Sequence, residues 1–128
     1  MSKRALVCVA LLAGISFAAA NDSRTLVGNG LSAVYYNNVD YSGTYVSRID
    51  ATVNFDWAYG SPDAAIGVET FSAVWSGQVE AQYTQTYTFY VVANNAARLY
   101  VNNQLLIDFQ DADSTTVELS GSIALTAG

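Results

Sequence analysis

A chain of 128 residues with a formal charge of −6 fits one domain and no more. Eleven acids against five cations give a surface that repels nucleic acid and anionic membranes, and the absence of His excludes chemistry that needs an imidazole base. A single Cys, Cys8, excludes an internal disulfide, so the fold must rest on its core or on a metal.

In chain order, the first feature is a three-part leader. Met1-Ser2-Lys3-Arg4 is a basic head, residues 5–17 are apolar, and Ala18-Ala19-Ala20 offers small residues for cleavage. This is the pattern of a secretory signal peptide over residues 1–20, expected as a signal helix and expected to be removed after Ala20. The apolar run is shorter than the roughly 20 residues a bilayer core requires, so no membrane insertion is expected after cleavage. Loss of Lys3 and Arg4 leaves Arg24, Arg48 and Arg98 against eleven acids, a formal charge of −8 with no Lys, Cys or Met. Export is therefore expected, to the extracellular space, the cell surface or the periplasm. Residues 21–29 are polar and read as a disordered lead-in.

Residues 31–36 read as the first strand. Residues 37–43 are a turn-rich loop carrying Asp40 and Tyr41, and residues 44–49 a short extended segment. Residues 52–57 alternate, with Val53, Phe55 and Trp57 expected inward as a half-buried strand. Gly60, Ser61 and Pro62 mark a loop over 58–63. Residues 71–77 alternate again, with Phe71, Ala73 and Trp75 inward.

The run Thr86-Tyr87-Thr88-Phe89-Tyr90-Val91-Val92 is β-branched or aromatic throughout, which suits a pleated, half-buried surface. A break at Asn94-Asn95 precedes a strand over 97–101. Asn102-Asn103 signals a two-residue turn, because Asn tolerates positive φ. A strand over 105–109 completes an expected three-stranded meander. Residues 110–115 form an acidic loop, Val117 and Leu119 a further strand, Gly121 a bend, and Ile123 and Leu125 another short strand. No helical period occurs beyond the leader. Short strands with turn signals between them indicate an all-β antiparallel sandwich. The turn-like end at residues 125–128 implies that the sandwich lacks its last strands.

Little of this supports catalysis. Asp56, Glu80 and Asp108 are the carboxylates available for a glycosidase pair, but Asp56 and Asp108 have ordinary structural places on or at the end of strands. The mature chain has no His base and no Cys or Lys nucleophile, so no enzyme activity is expected. Asp111 and Asp113 begin an alternation of oxygen side chains, yet an EF-hand would need Gly and Glu where Thr116 and Ser122 stand. Tyr41, Tyr59 and Tyr83 lie in loops, where rings either stack on sugar faces or simply cover surface.

Several segments together resemble one family. They are Gly30-Leu31-Ser32-Ala33-Val34-Tyr35-Tyr36-Asn37-Asn38, Asn54-Phe55-Asp56-Trp57, Gly60-Ser61-Pro62-Asp63, Phe71-Ser72-Ala73-Val74-Trp75-Ser76-Gly77, Tyr87-Thr88-Phe89, Arg98-Leu99-Tyr100-Val101 and Leu105-Leu106-Ile107-Asp108. Their order is similar to that of the protective-antigen-type, or PA14, domain, over residues 30–128. The resemblance implies a β-sandwich that in the family runs on into further strands. In adhesin members two consecutive aspartates hold a calcium ion that grips sugar hydroxyls. The matching dipeptide here is Asn94-Asn95, which has lost both carboxylates and would hold calcium weakly. The resemblance thus implies a carbohydrate-binding, lectin-like adhesion module, with an extracellular glycan or cell-surface component as partner. Its ligand-binding residues would be Asn94, Asn95, Tyr41 and Asp40, and any calcium would rest on Asn94, Asn95, Asp111 and Asp113. Two alternatives stay open: a structural or assembly module with a decayed calcium site, and an accessory domain of a larger exported glycoside hydrolase.

Overall fold

The computed structural model describes residues 4–11 (backbone only), 29–57, 60–68, 70–94, 96–110 and 116–128. Eight strands are formed within them: β1 (Arg4–Leu11), β2 (Leu31–Tyr36), β3 (Tyr45–Asp50), β4 (Thr70–Gly77), β5 (Gln85–Asn94), β6 (Ala96–Val101), β7 (Gln104–Gln110) and β8 (Thr116–Leu125). Six of them make one sheet in the order β3-β2-β4-β1-β6-β7, and β5 pairs with β8 in a second. The fold is an all-β sandwich, and the two sheets share one core.

That core follows from strand periodicity. Alternate residues of β2 (Ala33, Tyr35), β4 (Phe71, Ala73, Trp75) and β6 (Ala97, Leu99, Val101) are buried. Ile107 joins from β7, Ile123 and Leu125 from β8, and Tyr87, Phe89 and Val91 of β5 pack against them while staying half-buried. The inward set expected for β4, Phe71, Ala73 and Trp75, is the one observed. Asn102 and Asn103, at φ 50° and 62°, form the expected turn between β6 and β7.

Three expectations need correction. First, the meander is divided: β6 pairs with β7, but β5 pairs with β8 along ten residues. The break near Asn94 is therefore where the chain crosses from one sheet to the other. Second, residues 52–57 are not a strand, and Val53 and Phe55 are 42% and 39% exposed. Trp57 packs into the core, stacking on Phe55 (centroids 5.0 Å apart) and on Trp75 (6.5 Å), and Phe55 stacks on Trp75 from the exposed side (6.1 Å). Alternation brought these rings to one side, but no strand among the described residues pairs with the segment, so it lies as a cover over the aromatic cluster. Third, Gly121 is not a bend. It lies inside the single strand β8, where a Cβ would sit 2.7 Å from the Leu106 carbonyl oxygen. A bulge in β7 leaves Leu106 outside the β6–β7 pairing register and next to Gly121. The sandwich is antiparallel as expected except at β1, which runs parallel to both β4 and β6. Residues 4–11 form that strand, and residues 1–3 and 12–28 of the leader and lead-in lie outside the described residues.

Candidate functional site

Two polar clusters stand out. The first is buried. Edge strand β3 turns Arg48 and Asp50 toward the core side. Asp50, 6% exposed, accepts hydrogen bonds from the Tyr35 hydroxyl, from Trp75 Nε1 at 2.8 Å and from Arg48 Nε at 2.6 Å. Arg48 also donates to the Tyr35 hydroxyl (2.9 Å) and to the Pro62 carbonyl (2.8 Å). Burial pushes the Asp50 carboxyl up, but the donors Tyr35, Trp75 and Arg48, with the Arg48 charge, outweigh it and hold the carboxyl below its ordinary value. Burial, and then the bond to Asp50, push the Tyr35 hydroxyl above its ordinary range, against the opposing Arg48 charge. Each of these groups has its partners inside the protein, so the cluster fastens β2, β3, β4 and the loop at Pro62 together.

The second cluster is the loop between β2 and β3. Asn37 closes its base: its N–H donates to the Thr44 carbonyl (2.8 Å) and its Oδ1 accepts from Gly67 N–H (2.7 Å). Ser72, on the side of β4 away from Phe71 and Ala73, is fully buried under the loop. Its hydroxyl donates to the Asn38 carbonyl (2.6 Å) and accepts from the Tyr41 N–H (3.1 Å). Tyr41 is thereby held at φ 59°, the left-handed region, which costs a non-glycine residue on the order of 1 kcal/mol. Its ring meets Tyr36 edge-on at 6.2 Å, and Tyr36 lies 5.9 Å from Tyr45, which is 62% exposed. The Asp40 carboxylate accepts from the Ser42 hydroxyl. The result is a fixed aromatic and hydrogen-bonding surface at one end of the sandwich.

The sequence-derived site residues are partly gathered here. Asp40 and Tyr41 share the loop. Asn94 ends β5, its Nδ2 donating to Thr116 Oγ1 at 3.3 Å. The crossing after Asn94 enters β6 at Ala96, which pairs with Leu6, which in turn pairs with Ser72. Ala96 and the Ser72 anchor of Tyr41 are thus two strand spacings apart, roughly 10 Å, at the same end of the sheet. Asn95, Asp111 and Asp113 lie outside the described residues, as does Tyr59. Of the four residues named for calcium only Asn94 is described, and it offers one neutral amide; among the described residues no three His, Cys, Asp or Glu side chains gather. On the outer face of β6, Arg98 donates to Asp108 at 3.0 Å. That bond, with smaller contributions from Tyr100 and Tyr41, holds Arg98 above its ordinary value.

Sequence reasoning missed Ser72, Tyr36 and Tyr45. The recurrence of Tyr at 35, 36, 41 and 45 was a usable signal for the aromatic surface. Nothing local marks Ser72, a small polar residue between inward-facing Phe71 and Ala73.

Comparison with known proteins gives the site its setting. A family model described as "PA14 domain" matches residues 28–128. The chain is 47% identical over 105 residues to the Anti-sigma-I factor RsgI3 of Acetivibrio thermocellus, covering 82% of this chain and 16% of that protein. Among solved structures, an anti-sigma factor domain-containing protein shares 46% identity at a TM-score of 0.74, over 79% of this chain and 35% of the other. A second, from Clostridium clariflavum, shares 33% identity at a TM-score of 0.68, over 77% and 33%. The chain therefore spans about a third or less of the relatives it matches. These relatives correct the expected function. They are named as anti-sigma factors, which are regulators, so the reading as a carbohydrate-binding, lectin-like adhesion module with a glycan partner does not stand. The expectation that the chain is not an enzyme agrees with them.

Proposed function

The chain belongs to the PA14 domain family, and from that premise we propose that it is the sensory module of an exported regulator of the anti-sigma-factor type. The observation that carries this reading is the 47% identity to Anti-sigma-I factor RsgI3, of which the matched region is 16%. A module that small within a regulator suits stimulus reception, with sigma-factor binding carried by another part of the regulator. The leader over residues 1–20 supports a position outside the cytoplasm. The loop of Asp40 and Tyr41, with Tyr45 at the start of β3, is the receiving surface in this reading: its backbone is fixed in advance, so little ordering entropy opposes contact. A change at Tyr41 passes through the Ser72 hydroxyl into β4, a strand of the six-stranded sheet.

The test is a sigma-dependent transcription reporter in a host carrying RsgI3. Three versions are compared: intact, lacking the matched region, and with residues 29–128 of this chain in its place. Deletion is expected to uncouple the reporter from inducing conditions, and the replacement to restore coupling. A deletion strain that responds like the intact one would overturn the proposal.

A further inference from the structure

The centre of the six-stranded sheet is filled by a segment that the sequence marks for removal. β1 is parallel to β4 from Arg4↔Thr70 to Leu11↔Gly77 and to β6 from Leu6↔Ala96 to Leu11↔Val101. Without it, β4 and β6 stand two strand spacings apart, roughly 10 Å, the width of one missing strand. Both strands bordering this slot are rooted in the core through Phe71, Ala73, Trp75, Ala97, Leu99 and Val101. Their facing backbone N–H and C=O groups would lose their partners along a line between two buried rows, where unpaired polar groups are costly.

We propose that the slot between β4 and β6 is a strand-acceptor groove. Its ligand is an extended, uncharged, apolar peptide segment of six to eight residues running parallel to β4. In the unprocessed chain Arg4–Leu11 occupies the groove, and removal of residues 1–20 opens it to a strand of the same chemistry. The occupant's character is read from the segment seated there: after Arg4 it is Ala-Leu-Val-Cys-Val-Ala-Leu, without charge, Gly or Pro. Main-chain pairing on both sides supplies binding, and the apolar surroundings reject charged segments. Export and folding thereby compete for one segment, because a leader held in the sheet is withheld from cleavage. The inference stands apart from the sensory reading and fails or holds on its own measurement.

The register provides the first test. Cys8 is the only cysteine and is the Cα partner of Val74. In the full chain carrying Val74→Cys, oxidation with diamide should give an intrachain disulfide between positions 8 and 74, detected by mass spectrometry. Ser76→Cys, two residues out of register, should crosslink at least tenfold more slowly. The second test uses the chain beginning at Asn21 and a synthetic peptide of residues 4–11 with a lysine tail for solubility. The peptide should bind and raise Tm by on the order of 10 °C at saturation, while a peptide with Val7 and Val9 replaced by Asp should do neither. Should the shortened chain fail to fold alone, co-refolding with the peptide decides: recovery of a cooperative transition supports the groove, and no recovery overturns it. A shortened chain that matches the full chain in Tm and ignores the peptide overturns it as well, as does a folded Val74→Cys chain that forms no disulfide.

Discussion

Asp50 is the residue on which stability near the β2–β3–β4 edge turns. It is buried, ionised, and surrounded by three donors. Asp50→Asn keeps the shape but exchanges an acceptor for an amide and leaves Arg48 without its counter-charge. A loss of roughly 2–4 kcal/mol is expected in denaturant titration at neutral pH, discounted from the fully buried case because Arg48 is 32% exposed. The pH dependence follows from the direction of the shift. Because the folded state holds Asp50 below its ordinary value, its contribution is complete above the unfolded value of about 3.9 and disappears as pH falls through the folded one. The wild-type chain should lose stability steeply below about pH 4, with the Asn variant flatter there. Tyr35 acts at the other end: its raised pKa means that its contribution is intact below about 10 and lost as pH rises beyond. Tyr35→Phe should remove that alkaline slope, and an unchanged slope would show that another group causes it. Of these residues, the sequence identified Trp75 as core. The pairing of Arg48 with Asp50 was illegible, since Arg48 sits in a segment read only as extended and Asp50 just beyond its end.

At the scale of elements, the contact between the β7 bulge and β8 sets how closely the two sheets approach. Leu106, left out of register by the bulge, presses on Gly121. Gly121→Ala should cost about 1–3 kcal/mol by thermal or chemical unfolding. Its nearest neighbour is backbone, so adding Leu106→Ala should not recover the loss; full recovery would show that the side chain was the obstacle. The loop between β2 and β3 depends on a single hydroxyl. Ser72→Ala should speed amide exchange of residues 38–43 by tenfold or more while lowering global stability by only about 1–2 kcal/mol. A uniform rise in exchange across both sheets would contradict that local role. Strand positions were legible because alternation is a local signal: residues 31–36 were placed to the residue, and β4 within one. The loop's anchor was not, because Ser72 and Tyr41 are 31 positions apart and nothing in either neighbourhood names the other.

For the whole molecule, the two sheets differ in how firmly they are held. β2 and β4 carry fully buried Tyr35, Phe71 and Trp75, whereas β5 buries only Ala93 below a tenth and leaves Tyr90 and Val92 each 66% exposed. Each strand of the β5–β8 pair has one neighbour among the described residues. Amides of β5 and β8 should therefore exchange at lower free energy than those of β2 and β4, as a separate opening unit seen by hydrogen-exchange mass spectrometry. Equal protection in both sheets would mean that the sandwich opens as one body.

Taken by itself, the sequence determined that the chain beyond the lead-in is all-β, which residues of β4 face inward, and where the β6–β7 hairpin turns. All of these depend on side-chain spacing or on backbone preferences within a few residues. Tertiary structure decided the rest: β5 joins β8 and not β6, residues 52–57 cover the aromatic cluster without becoming a strand, and a residue read as a bend lies within β8 against Leu106 of the other sheet. Each is a choice among distant partners. Hydrogen-bond ladders are interchangeable at the level of the backbone, so only the packing of the complete core selects among them.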